Sequence, residues 1–197
     1  MFASLRSPVA QWPALAAGLG LLFGSSAIGA TLNEDGLHEE PWHIAQSFLE
    51  LREDWLETNQ SDRHFALIWE LKGCPACIRL HEGPLQDPDI RQQLTAHFAF
   101  LQLNIIGARR VTDFDGLEMA ESELAPRFGV EGTPTIQFFA QPQGDESVPR
   151  EVLRVTGVPE IAELRRMLDY VQQRAYLQQD YPGYRKDLTA RPGSHRS

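Results

Sequence analysis

The chain contains two cysteines, Cys74 and Cys77, set in Gly73-Cys74-Pro75-Ala76-Cys77. Thiols at that spacing can close a small disulfide ring, exchange it with another disulfide, or hold a soft metal ion. Residues 64–71 (HFALIWEL) are rich in strand formers, and a helical pattern follows through Ile78 and Leu80 until Gly83 and Pro84 stop it. The first sulfur therefore falls where a helix begins. Backbone N–H groups without intrahelical partners, together with the helix dipole, favour a thiolate there. Pro75 suits the first helical turn because it has no N–H to waste. Cys74 is thus expected to attack, and Cys77, deeper in the helix, to resolve the mixed disulfide.

Other uses of the pair fare less well. Haem attachment needs His directly after the second Cys, where this chain has Ile78. A structural zinc site needs four ligands, and the chain has no second Cys pair. An inert structural disulfide would close too small a loop to constrain the unfolded chain much. A copper(I) module built from Cys74, Cys77 and His81 stays open as the alternative that is not an enzyme. His81 follows Cys77 by four residues, on the same helical face, and is read as a helix-end residue without a chemical role. Lys72 is read as a solvated loop cation.

The elements that must position these residues follow from patterning. Ile44, Phe48, Leu51 and Trp55 lie at helical spacing after Pro41. Asp87-Pro88 reads as a helix cap followed by proline at the first helical position. Strands are expected over 98–106, 135–140 and 148–156, and helices over 122–128 and from Pro159 to about residue 171. Residues 107–116 read as a polar loop. This order argues for an α/β domain with a central mixed β-sheet flanked by helices. Residues 31–40 are polar and acidic and read as a mobile lead-in, 41–174 as the domain, and 175–197 as a C-terminal extension with a disordered end. All four tyrosines (Tyr170, Tyr176, Tyr181, Tyr184) fall near or in that extension. They are expected to pack their rings on the domain with wet hydroxyls, and partner docking is the sharper alternative.

Residues 1–30 differ in kind. Arg6, an apolar run over 14–23 (ALAAGLGLLF) and a small-residue exit read as an export signal, with a retained anchor as the alternative. Either way the body is expected outside the cytoplasm, where a cysteine pair can be oxidised. Formal net charge is −9, and Arg6 is the sole charge of the first thirty residues. A body that acidic repels phosphate backbones and anionic lipid surfaces, so nucleic-acid binding is not expected.

The strand-Cys74-Pro75-Ala76-Cys77-helix unit, the later Gly132-Thr133-Pro134 before a strand, and the closing β-β-α order together resemble the thioredoxin superfamily over residues 41–173. Glu70, Leu80-His81-Glu82, Asp87-Pro88 and the Tyr-rich tail are most similar to the exported SoxW-type thioredoxins of sulfur-oxidising bacteria. The resemblance implies a thioredoxin-like fold, Cys74 as nucleophile, Cys77 as resolving thiol, and a cis Thr133–Pro134 bond beside the sulfurs. It also implies that Thr133, Pro134, Pro75 and Ala76 contact an extended client segment, as in strand addition. Thioredoxins carry a buried Asp six residues before the first Cys, where this chain has Ile68. Glu70, on the same strand face, is the candidate replacement as proton acceptor for Cys77, partly buried with a raised pKa. The competing expectation is a strand-end Glu in solvent. Trp69, on the other face, is expected in the core. Arg109 and Arg110 lie in the long loop and read as solvated, with an acidic partner as the alternative.

By resemblance the chain is expected to be a periplasmic thiol:disulfide oxidoreductase and a monomer. It would reduce disulfides or sulfur-modified cysteines on client proteins and receive electrons from a membrane carrier of the CcdA or DsbD type. No cofactor or metal is needed, because the sulfurs carry both electrons. A Dsb-type oxidase or isomerase, or a cytochrome-maturation thioredoxin, is the alternative within enzymes.

Overall fold

A computed structural model describes residues 31–144 and 148–190. The expected export signal and the expected disordered end lie outside the described residues. Among the described residues, no helix is long and apolar enough to cross a membrane.

In chain order the elements are β1 (Thr31–Leu32), β2 (His38–Glu39), α1 (Leu51–Gln60), β3 (His64–Glu70), α2 (Pro75–Glu82), α3 (Pro88–His97), β4 (Phe98–Asn104), β5 (Arg110–Thr112), β6 (Glu118–Ala120), α4 (Glu121–Arg127), β7 (Thr135–Phe139), β8 (Glu151–Thr156), α5 (Ile161–Gln172) and α6 (Tyr181–Ala190). The central sheet has the order β4-β3-β7-β8. β3 pairs in parallel with β4 and antiparallel with β7, and β7 pairs antiparallel with β8. This is the mixed sheet that the element order implied.

Alternation along β3 explains the two layers. Ala66 and Ile68 join Leu80, Ile90, Leu94, Leu164 and Leu168 in one core, beneath α2, α3 and α5. Phe65, Leu67 and Trp69 join Leu51, Trp55, Leu124 and Ala125 in the other, beneath α1 and α4. A strand buried on both faces is what a near-continuous apolar run specifies. The Asp87 cap is also present, with Oδ1 accepting from the N–H groups of Asp89 at 3.2 Å and Ile90 at 3.1 Å. Trp69 is fully buried, and its Nε1–H donates to Gln137 Oε1 at 2.7 Å.

Three segments depart from expectation. The helix expected from Pro41 starts only at Leu51. Before it, the Phe100 N–H donates to the Trp42 carbonyl at 2.9 Å, and the Ile44 N–H donates to the Phe100 carbonyl at 2.8 Å. The free edge of β4 takes this stretch as a short parallel addition, and edge pairing outweighs helical spacing. Phe48, expected on the apolar face, is 97% exposed. The lead-in 31–40 is not loose: β1 and β2 pair antiparallel, and Leu37 and His38 are buried.

Residues 107–116 are likewise more structured than a polar loop, because β5 pairs with β6. Arg109 and Arg110 are not free cations; they pair with Glu121 at 2.5 Å and Glu118 at 2.8 Å. The turn is organised by Asp113, whose Oδ1 accepts from the N–H groups of Asp115 and Leu117, both at 2.9 Å. Its Oδ2 accepts from Arg127 Nε at 2.7 Å. Burial pushes the Asp113 carboxyl up, but the Leu117 N–H, Arg127 and the Asp115 N–H outweigh it and hold the pKa below the usual aspartate value. A depressed folded-state pKa contributes stability above the unfolded value of about 3.9, and that contribution is lost as pH falls through the folded pKa. Asp113→Asn is therefore expected to destabilise the protein by about 1–2 kcal/mol at neutral pH. The gap between variant and parent should close below about pH 4, as urea unfolding across a pH series will show.

The tyrosines do pack on the domain. Tyr170 and Tyr176 are buried, and Tyr181 and Tyr184 cover the same core. The hydroxyls are not left to water alone: Tyr170 donates to the Gln179 carbonyl at 2.9 Å and Tyr181 to Glu163 at 2.8 Å. Tyr176 accepts from the Gln141 N–H at 3.2 Å. Asp180 caps α6 by accepting from the Gly183 N–H at 2.9 Å.

Candidate active site

β3 ends at Glu70, and a short turn with Gly73 at φ +71° delivers Cys74 to the start of α2. Cys74 is the helix cap and Pro75 the first helical residue. The two cysteines form a disulfide with a Cα separation of 5.3 Å. The Cys77 backbone N–H donates to Cys74 Sγ at 3.1 Å, so the first sulfur sits against a helix N–H that would stabilise negative charge on it. Cys74 is 8% exposed and Cys77 is fully buried. That asymmetry leaves the first sulfur as the one an outside reagent can meet.

Across the site, the Thr133–Pro134 peptide bond is cis, the isomer the resemblance implies. Thr133 Oγ1–H donates to Cys74 Sγ at 3.3 Å, and the Thr133 carbonyl lies 3.6 Å from the same sulfur. Pro134 is buried, Pro75 is exposed, and Ala76 and Thr133 are half-buried, so the rim of the disulfide offers backbone and small side chains. Lys72 is exposed, its aliphatic part lying over Gly36, as expected of a loop cation.

Glu70 and His81 differ most from expectation. Both are fully buried, so the solvent-facing Glu does not describe the molecule, and His81, at the helix end as expected, faces inward. His81 Nε2 lies 2.8 Å from Glu70 Oε1, and its Nδ1 lies 2.9 Å from Glu40 Oε1. Both ring nitrogens thus face carboxylate oxygens. Burial opposes charge on His81, yet the two carboxylates outweigh it and raise its pKa above the ordinary value. Glu70 was expected to have a raised pKa. Burial does push it up, but hydrogen bonds from His81 and Gln102 and the charge of His81 hold it below the ordinary value. Gln102 Nε2–H donates to Glu70 Oε2 at 2.5 Å, and Arg91 reaches Glu40 at 3.2 Å. Among the described hydrogen bonds, those of the Glu70 side chain run to His81 and Gln102, and none reaches Cys77.

Sequence reasoning missed His38, Glu40 and Gln102. His38 Nδ1 lies 3.4 Å from Glu70 Oε1, and its ring stacks on His81 with centroids 4.1 Å apart. The signal available was Leu37 and Trp42, apolar residues flanking an acidic stretch, which mark a segment that docks.

Comparison with known proteins agrees with this geometry. Residues 51–172 match the family model for the thioredoxin-like domain. A thioredoxin-fold protein from Helicobacter pylori is 19% identical over 80% of this chain and 89% of its own, with a TM-score of 0.51. A thioredoxin from Thermus thermophilus is 26% identical over 64% of this chain and 88% of its own, with a TM-score of 0.48. A DsbH oxidoreductase is 14% identical over 72% and 91%, with a TM-score of 0.46. No curated protein sequence matches. A family-model match over more than half the chain, around a cysteine pair closed at a helix start, establishes that the chain belongs to the thioredoxin-like family.

Proposed function

We propose that the protein is an exported thiol:disulfide oxidoreductase that works chiefly as a reductant of client proteins. One observation carries this reading: Cys74 Sγ caps α2 at 3.1 Å from the Cys77 N–H, with Thr133 Oγ1 at 3.3 Å and its partner sulfur buried behind it. In the reduced protein the Cys74 thiolate attacks one sulfur of a client disulfide, forming a Cys74–client bond and expelling the other client sulfur as a thiolate that takes a proton from water. Cys77, having lost its proton, then attacks Cys74 Sγ. The second client thiolate leaves, the Cys74–Cys77 disulfide closes, and two electrons have passed to the client. Pro75, Ala76, Thr133 and Pro134 would line the client segment, with the Thr133 backbone pairing to it. A membrane carrier of the CcdA or DsbD type would return the protein to the dithiol, and the SoxW-like motifs favour a sulfur-oxidation client. This reading does not use Glu70 as a direct base for Cys77, because its oxygens are engaged by His81 and Gln102.

The test is capture. Cys77→Ser in the exported protein should accumulate mixed disulfides on Cys74 that dithiothreitol releases, and their identification names the clients. A redox titration of the parent against glutathione then gives the direction. Absence of any trapped partner, or a potential as oxidising as that of a dedicated oxidase, would overturn the reductant reading.

A further inference from the structure

Behind the disulfide helix, three buried ligating groups converge from three separate segments: His38 of β2, Glu70 at the end of β3 and His81 near the end of α2. Their ligand atoms all lie within 4.8 Å of one another. Side-chain exposure is 10% for His38 and nil for the other two. Two imidazoles and a carboxylate are a common zinc donor set. Tetrahedral ligands at about 2.0–2.2 Å from one ion stand about 3.4 Å apart. His38 Nδ1 and Glu70 Oε1 already have that spacing, at 3.4 Å, while His81 Nε2, at 2.8 Å, must withdraw and one imidazole must turn out of the His38–His81 stack, centroids 4.1 Å apart, for both rings to aim at one ion.

The surroundings have the form of a metal site's outer layer. Glu40 Oε1, 2.9 Å from His81 Nδ1, orients that ring as carboxylates orient metal-bound histidines, and Arg91 holds the other Glu40 oxygen at 3.2 Å. Gln102 fixes the second oxygen of Glu70, leaving Oε1 turned toward His38 and His81. His43 adds an independent sign. Its Nε2 is buried with no hydrogen-bond partner, and its ring stands edge-on to His81 with centroids 6.4 Å apart. A groove lined by Glu40, His43, Arg91 and Gln102 borders the outer layer of the cluster, while His38, Glu70 and His81 lie behind that lining.

We propose that His38, Glu70 and His81 bind one divalent transition-metal ion of the zinc type, joining the N-terminal ribbon to the helix that carries Cys74. The ion takes the place of a proton on His81 Nε2, which leaves to water, while His81 Nδ1 keeps its proton and donates it to Glu40. The donor set excludes the cysteines, so this site differs from a copper(I) centre on Cys74 and Cys77, and imidazole with carboxylate suits zinc or cobalt(II) better than copper(I).

The experiment uses the full chain with its disulfide closed, so that no thiolate can ligate. Zinc ion alone is titrated calorimetrically, and cobalt(II) by its visible absorption. The expected result is one ion per chain, with ligand-field bands and no sulfur charge-transfer band. His38→Gln should weaken binding by more than the tenfold to about hundredfold loss typical of removing an outer partner, and Glu40→Gln by about that amount. His81→Gln removes a central buried group and can fail to fold. His38→Gln loses a 3.4 Å contact to Glu70 and a ring stack on His81, and a cooperative urea transition in chelator will show that it folds. No binding to the oxidised chain, binding untouched by His38→Gln, or binding that appears only with reduced thiols would each overturn the proposal.

Discussion

Cys74→Ser is expected to reduce turnover of a protein disulfide, followed with insulin and dithiothreitol, to the uncatalysed background, a loss on the order of a thousandfold or more. A serine hydroxyl cannot enter a disulfide. The one remaining thiol, Cys77, is fully buried, with the rim of the site formed by Pro75, Ala76 and Thr133 between it and a client. Cys77→Ser should look different despite comparable loss of turnover. It retains the capped sulfur, so one equivalent of mixed disulfide forms quickly and then persists. Rapid alkylation of the reduced Cys77→Ser chain, against slow alkylation of Cys74→Ser, separates the two roles by reagent access. Equal alkylation rates, or appreciable turnover by Cys74→Ser, would mean that burial does not set the order of attack.

The parts of this site that are local in sequence were legible without coordinates. A run of strand formers, a glycine turn, Cys-Pro at a helix start and a second Cys on the next turn all lie within fifteen residues, and each signal reports its own neighbourhood. Thr133-Pro134 is remote in sequence, and resemblance rather than physics placed it beside Cys74. The His81 cluster was hidden for a physical reason. Its partners lie 41 residues away at Glu40 and 11 away at Glu70, and Glu70 reaches Gln102 across 32 residues. No periodicity encodes such contacts. Residues 41–50 mislead in the opposite sense: Ile44 and Phe48 fit a helix, but the open edge of β4 offers Trp42 and Ile44 backbone partners, and Phe48 is left in water. Composition misled at 31–40 and 107–116. Polar, acidic stretches read as loose, whereas Leu37 and Val111 anchor them by burial.

Glu70→Ala is expected to lower folding stability by about 3–5 kcal/mol, measured from urea midpoints in the presence of chelator. For a domain with about 5–15 kcal/mol in hand, that is a third or more of the total. The cost comes from what is left behind. His81 keeps Glu40 on one side, but its Nε2 faces a cavity where a carboxylate stood 2.8 Å away, and the Gln102 amide loses one of its two acceptors, keeping the His38 carbonyl at 2.6 Å. The pair is fully buried, so bulk water does not replace the lost partner. The same argument predicts the opposite sign for a paired replacement. Glu70→Leu with His81→Leu removes two desolvated groups, leaves Glu40 paired with Arg91 at 3.2 Å and fills the space with apolar side chains, so the double variant should lie within about 1–2 kcal/mol of the parent. It should be more stable than Glu70→Ala, although it changes more of the chain. A double variant as unstable as the sum of its parts would mean that the network contributes more than its own desolvation cost. Near-neutral behaviour of Glu70→Ala would mean that water enters the cluster and screens it. In the expected outcome, β3 carries a charge that stability alone does not require, and its retention is then explained by what His81, Glu70 and His38 hold together.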